Sequence, residues 1–177
     1  MNTVAYVFLI IGISLLGLIV ILDIAIGISM AIISKTLRKK NKNLMIVLAQ
    51  KFDLCVILAK DMMTKGIDLP EDIKLDLNID TNPAKGLKST TERFLVANHI
   101  KNISMTLKAI YDASPIVNED LKCQTIVNSI AESDSLRANE VVSYNNYAMA
   151  YNYWIMFPIF RPLSKLFKIY KVRLLEN

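Results

Sequence analysis

Six residues in the C-terminal half have the types and spacing from which a site could be built. Asp134 and Arg137 stand three apart, about one helical turn. Tyr144-Asn145 and Tyr151-Asn152 repeat at seven residues, so the two tyrosines share one helix face and the two asparagines share the next. A carboxylate, a guanidinium and two phenols converging in a cleft between helices would suit a ligand sensor or an acid–base enzyme. The same residues also have a structural use. Phenol hydroxyls and amides fix the register of packed helices. A charge on a helix seam must pair with its neighbour or with another helix, unless the seam drifts to the surface there. The residues alone leave these readings open.

Other chemistry is poorly provided for. The chain has one histidine, His99, and two cysteines, Cys55 and Cys123, without metal-ligand spacing. Its five glycines form no phosphate-cradling loop. Asp68, Glu71, Asp72, Asp76 and Asp80 gather acid in one stretch, but lack the glycine and glutamate positions of an EF-hand loop. No catalytic residue, metal ligand or cofactor is assigned, and a non-enzymatic protein is expected. The basic residues are too few, and accompany no recognised module, for a nucleic-acid partner to be expected.

The elements that must position these residues begin with an apolar leader. The chain has 177 residues, 53% apolar and 21% charged, which excludes a disordered protein. Residues 1–34 hold no lysine or arginine and one acid, Asp23. Residues 35–177 carry 21 bases against 15 acids, net +6. Residues 4–22 are 19 positions without a charge, about 28 Å of helix and close to the thickness of a hydrocarbon core. The expected domains are therefore a transmembrane anchor, 1–34, and a helical bundle, 35–177. Two placements of the span compete. Either 4–22 crosses and Asp23 lies at the interface, which is preferred, or the span slides toward Ser34 and Asp23 sits in lipid at a cost of about 2.5–3.5 kcal/mol. The leader has no positive n-region and no convincing cleavage site, so an uncleaved signal anchor is expected. Lys35, Arg38, Lys39, Lys40 and Lys42 follow it closely, which directs the N-terminus outward and the bundle to the cytoplasm. A reducing compartment also suits two isolated cysteines.

Beyond the anchor the apolar residues recur at helical steps. Leu44, Leu48, Phe52, Cys55, Leu58 and Met62 form one stripe, and Val96, Ile100, Ile103, Leu107 and Ile110 a second. The third runs Cys123, Ile126, Ile130, Asp134, Arg137, Val141, Tyr144, Ala148, Tyr151, Ile155. Gly66 reads as a helix stop and Phe157-Pro158 as another, with loop chemistry at Asn82-Pro83 and Gly86. Asn118 with Glu119 and Asp120 behind it resembles a helix N-cap. Residues 141–160 lack charge, but Asn145, Asn146 and Asn152 argue for a bundle helix over a second span. The tail alternates Arg161, Lys165, Lys168, Lys171 and Arg173 with apolar residues. This is a basic amphipathic segment, suited to an anionic lipid surface or to a last bundle helix. The expected fold is all-α: an N-terminal transmembrane helix, then an antiparallel up-and-down bundle of three long helices and a short C-terminal one.

In this order the features resemble the LemA family of membrane-anchored bacterial helical proteins. A very short N-terminus precedes one anchor and a helical domain. Leu48-x-x-Lys51-Phe52-Asp53-Leu54-x-x-x-Leu58 is similar to the family's Leu-x-x-Arg-x-Asp-Leu-Ile-Pro-x-Leu segment. Pro115, Asp134, Tyr144-Asn145, Tyr151-Asn152 and Phe157-Pro158 follow the family's order and near-identical spacing. Val56 stands where the family has proline, and Val141 where an arginine precedes the first Tyr-Asn pair. The resemblance implies a single-pass protein with a cytoplasmic helical bundle acting as a scaffold or interaction module. Its partners would be the bilayer and other membrane or envelope proteins. It implies no catalytic residues.

Overall fold

The computed structural model describes residues 3–77, 82–84, 90–158, 160–166 and 168–175. Asp80, Gly86 and Phe167 lie outside them. The protein is all-α, with no strand among the described residues. The helices are α1 (Thr3–Thr64), α2 (Glu71–Leu77), α3 (Thr90–Ala113), α4 (Pro115–Asn118), α5 (Leu121–Met156) and α6 (Arg161–Leu166).

The expected anchor and the first bundle stripe are one helix of 62 residues. No proline or glycine interrupts positions 28–65, so nothing breaks the ladder between them. It ends at Gly66, whose φ of 77° is the left-handed conformation that glycine adopts without a Cβ clash. The Gly66 N–H bonds the Met63 carbonyl and the Ile67 N–H reaches back to Met62, a Schellman cap.

The N-cap of α5 is Asp120 rather than Asn118. The Asp120 carboxylate accepts the N–H of Cys123, three residues on, at 2.9 Å. Asn118 instead closes α4, and its carbonyl accepts from the Tyr111 hydroxyl and the Gln124 amide. At the other end α5 stops at Met156, just before Phe157-Pro158.

The chain divides into two compact units, Asn41–Val141 and Met1–Lys40 with Val142–Asn177. The Asn41–Val141 unit holds the larger core. Every member of the first stripe within it is buried, from Leu44 to Met62. Ile100, Ile103 and Leu107 of α3 and Cys123, Ile126 and Ile130 of α5 meet that stripe, with Leu69, Ile73 and Val117 closing the ends. Ion pairs Lys51–Asp134 and Lys65–Asp120 fix α5 antiparallel to α1. The connection after α1 returns along it: the Asn82 side chain donates to the Ala49 carbonyl and to Asp53.

In the other unit Ile26 and Met30 of α1 are buried with Ile155 and Phe160. Trp154, Tyr151 and Phe157 pack around them, and Trp154 meets Tyr153 and Phe157 edge-on. Positions before Asp23 are different. Val4, Phe8, Leu15, Leu16 and Ile21 are all more than half exposed, so the helix is apolar and uncovered all round. Among the described residues α1 is the one helix long and apolar enough to cross a membrane.

The short C-terminal helix expected there is α6, and the basic tail outruns it. Among the described residues of the tail only Arg161–Leu166 is helical, and residues 169–175 belong to no helix or strand. Lys168 turns the chain with a φ of 52°, and the Ile169 N–H bonds the Ser164 carbonyl at 2.8 Å. The alternation of basic and apolar residues in the tail is that of a strip with one face down, which needs no helix.

Candidate functional site

Tyr144, Asn145, Tyr151 and Asn152 lie on α5 within the unit that also contains the tail. The side chains of Tyr144, Asn145 and Asn152 are used on that tail. The Asn145 Nδ2 donates to the Leu175 carbonyl and its Oδ1 accepts the Leu175 N–H, both at 2.8 Å. Asn152 does the same to Val172, again at 2.8 Å for each bond. Extended chain without a neighbouring strand has unpaired main-chain groups, and a primary amide carries the one donor and one acceptor that satisfy both. The reciprocal bonds admit only one orientation of each amide. The Tyr144 hydroxyl donates a longer bond, 3.5 Å, to the Arg173 carbonyl, and its ring is 9% exposed. Tyr151 is half-buried and packs against the Ile26–Phe160 cluster. The asparagines thus fix the tail on α5, where sequence reasoning expects them to set register between helices.

Asp134 and Arg137 belong to the other unit, and the structure does not pair them. The Asp134 side chain is 52% exposed, because Ser133 takes the buried position on this turn. From the surface its two carboxylate oxygens reach the Lys51 ammonium at 2.7 and 2.9 Å. Lys51 is the buried member of the pair, at 4% exposure. Arg137 is half-buried and makes no ion pair among the described residues. Sequence reasoning missed Lys51, although a signal existed. It stands three residues after Leu48 and four before Cys55, inside the apolar stripe. Beside it, burial pushes the Cys55 thiol up to about 12, with Lys51 pulling the other way. That thiol is an inert core side chain.

A second polar cluster closes the far end of α1 against the start of α5. Lys65 pairs with Asp120 at 2.6 Å, and Lys122 pairs with Asp61. Cys123 lies between them, its Sγ 3.6 Å from Lys65 Nζ and 3.8 Å from Asp61. Ligand atoms of Asp61, Asp120 and Cys123 come within 4.8 Å of one another. Both carboxylates already carry an ammonium, and burial raises the Cys123 thiol, so the arrangement reads as a helix-end clasp.

The clasp has a pH signature. The Lys65 hydrogen bond and the Cys123 N–H hold the Asp120 carboxyl down to about 2. A depressed folded-state value means that the carboxylate adds stability above about pH 4, and that this is lost as pH falls toward 2. Asp120→Asn retains a competent cap but cannot ionise. Thermal melts between pH 7 and 2 are expected to show a shallower acid limb for the variant. Parallel limbs would mean that Asp120 gains nothing from its partners.

In the Asn41–Val141 unit a shallow groove of about 400 Å³ is lined by Gln50, Asp53, Leu54, Ile57, Ser129, Glu132, Ser133 and Leu136. Asp134, Arg137, Tyr144 and Tyr151, the residues of the sensor or enzyme alternative, do not line it. His99 is a surface residue, 3.2 Å from Asp76. In the leader, Asp23 is half-buried, and its Oδ1 has no hydrogen-bond partner among the described residues.

Comparison with protein-family models, with curated proteins and with solved structures returns no match.

Proposed function

We propose that this chain is a membrane-anchored, non-enzymatic interaction module of the LemA type. The observation that carries the reading is the uncovered leader. In water the exposed apolar side chains of this stretch would be solvated, whereas in hydrocarbon they match the solvent and the backbone bonds are already internal. The rest of the molecule supports the same level for the bilayer edge. Asp23 follows the uncovered stretch, and the Tyr153, Trp154 and Phe157 cluster belongs with Ile26 and Met30 just beyond it. Aromatic side chains of this kind favour the headgroup region. Lys35, Arg38, Lys39 and Lys42 are exposed further along α1, where they suit a cytoplasmic leaflet rich in anionic lipid. Two free, buried cysteines are consistent with that side. The LemA-like order of Pro115, Asp134, the two Tyr-Asn pairs and Phe157-Pro158 agrees with a scaffold that has no catalytic set.

The test is fractionation followed by topology mapping. The protein is expected to remain in the membrane pellet after carbonate and high-salt washing. A tag placed after Asn177 is expected to resist protease added to intact spheroplasts. Recovery in the wash would overturn the anchor, and cleavage of the tag would overturn the orientation.

A further inference from the structure

Asn145 and Asn152 make four hydrogen bonds to the tail, and all four end on main-chain atoms. None requires a particular side chain. Seven residues of α-helix advance about 10.5 Å. Three residues of polyproline II chain advance about 9.3 Å. The two repeats nearly match, so an amide every second helical turn meets every third residue of an extended peptide running the opposite way. A pleated strand would turn residues 172 and 175 to opposite faces. Ile169, Val172 and Leu175 share the three-residue repeat and are half-buried, while Tyr170, Lys171, Arg173 and Leu174 are exposed. The tail is thus seated on this face of α5 through its main chain. The peptide enters through a strained link: Lys168, an L-residue, holds a φ of 52° to bring the tail back onto α5.

We propose that this face of α5 is a peptide-binding groove whose ligand in trans is segment 169–175 of a second copy of the chain, with the chain's own segment as the resident occupant. The second copy carries the sequence already seen to fit. Exchange preserves all four amide bonds, because a main-chain ligand is the same whichever chain supplies it. It also frees Lys168 from its left-handed turn. Against this stands the high effective concentration of a tethered tail, so the closed form prevails when the protein is dilute and exchange grows with concentration. Reciprocal exchange closes a two-fold pair and leaves no groove open for further growth. The inference rests on α5 and the tail, and is independent of where the leader sits.

Two full-length variants in detergent micelles test it. Val172→Pro with Leu175→Pro removes the two N–H groups that the asparagine oxygens accept, and leaves the groove intact. Asn145→Ala with Asn152→Ala removes the clamp and leaves the tail intact. With one variant carrying a donor dye and the other an acceptor, the mixture is expected to pair at least tenfold more tightly than either variant with itself. It should also pair more tightly than wild type, in which both grooves begin occupied. A labelled synthetic peptide of residues 168–175 is expected to bind the proline variant and not the alanine variant. No pairing in the mixture, with both variants melting as wild type does, would overturn the proposal. Peptide binding without pairing of chains would also overturn it, because the groove would then serve extended segments of other proteins. If a double variant melts early, single Asn152→Ala and Val172→Pro chains give the same readout with one clamp left in place.

Discussion

Asp134→Leu is expected to destabilise the Asn41–Val141 unit by about 1–3 kcal/mol, between the effect of breaking a surface pair and that of breaking a buried one, because only the lysine of this pair is buried. The reason is the asymmetry of the pair. Lys51 is 4% exposed, and both carboxylate oxygens of Asp134 lie within hydrogen-bond distance of its ammonium. Asp134 is a surface group that leans inward. A leucine at 134 caps the ammonium with hydrocarbon and shuts water out, leaving a buried charge without a counter-charge. Asp134→Ala opens a path for water and should cost distinctly less. Lys51→Met keeps the apolar stem that fills the stripe between Leu48 and Cys55, and returns the half-exposed carboxylate to solvent. It should be the mildest of the three. Combining Lys51→Met with Asp134→Leu removes both charges, and should recover most of the loss. Denaturant titrations of the four variants in micelles, followed by circular dichroism, measure the cycle. If Lys51→Met proved costlier than Asp134→Leu, the lysine would be contributing packing and not a charge in need of a partner.

The Lys51–Asp134 pair also marks where sequence reading stops. The stripe from Leu44 to Met62 is legible because apolar residues at steps of 3 and 4 must share a helix face, and the structure buries all of them. Gly66 is legible because a left-handed cap favours glycine. On α5 the stripe through Asp134 gave the right helix, but could not say what the charge meets. The partner is 83 positions away, and a lysine within an apolar stripe reads as a solvated charge until its neighbour is known. The tail is the other gap. Basic and apolar residues alternate in the same way along a solvated helix face and along an extended strip. The choice is made by Asn145 and Asn152, whose amides bind a bare peptide backbone as well as they fix a helix. The seven-residue repeat was visible, but its three-residue counterpart in the tail acquires meaning only once the two segments lie together.

The second large effect contrasts two leucines on one helix. Leu58 is 1% exposed at the centre of the larger core, among Cys55, Met62, Ile103 and Leu107. Truncation there removes three carbons and leaves a cavity that close-packed neighbours refill only in part. Leu58→Ala is therefore expected to cost about 2–5 kcal/mol. Leu15 lies in the leader and is 59% exposed, with no protein side to lose. Leu15→Ala should leave bundle stability within about 0.5 kcal/mol of wild type. Denaturant titration in micelles separates the two, with the midpoint moving only for Leu58→Ala. A different substitution reverses the order. Leu15→Arg leaves the melting of the bundle alone and adds about 2.5–3.5 kcal/mol to the cost of placing the leader in hydrocarbon, which reconstitution into vesicles reads as a loss of insertion. Since α1 is one unbroken helix, the change in behaviour between positions 15 and 58 comes from what surrounds each side chain and owes nothing to backbone or residue type. If Leu15→Ala unfolded the bundle as Leu58→Ala does, the leader would be packed against protein, and its apolar surface would no longer call for a membrane.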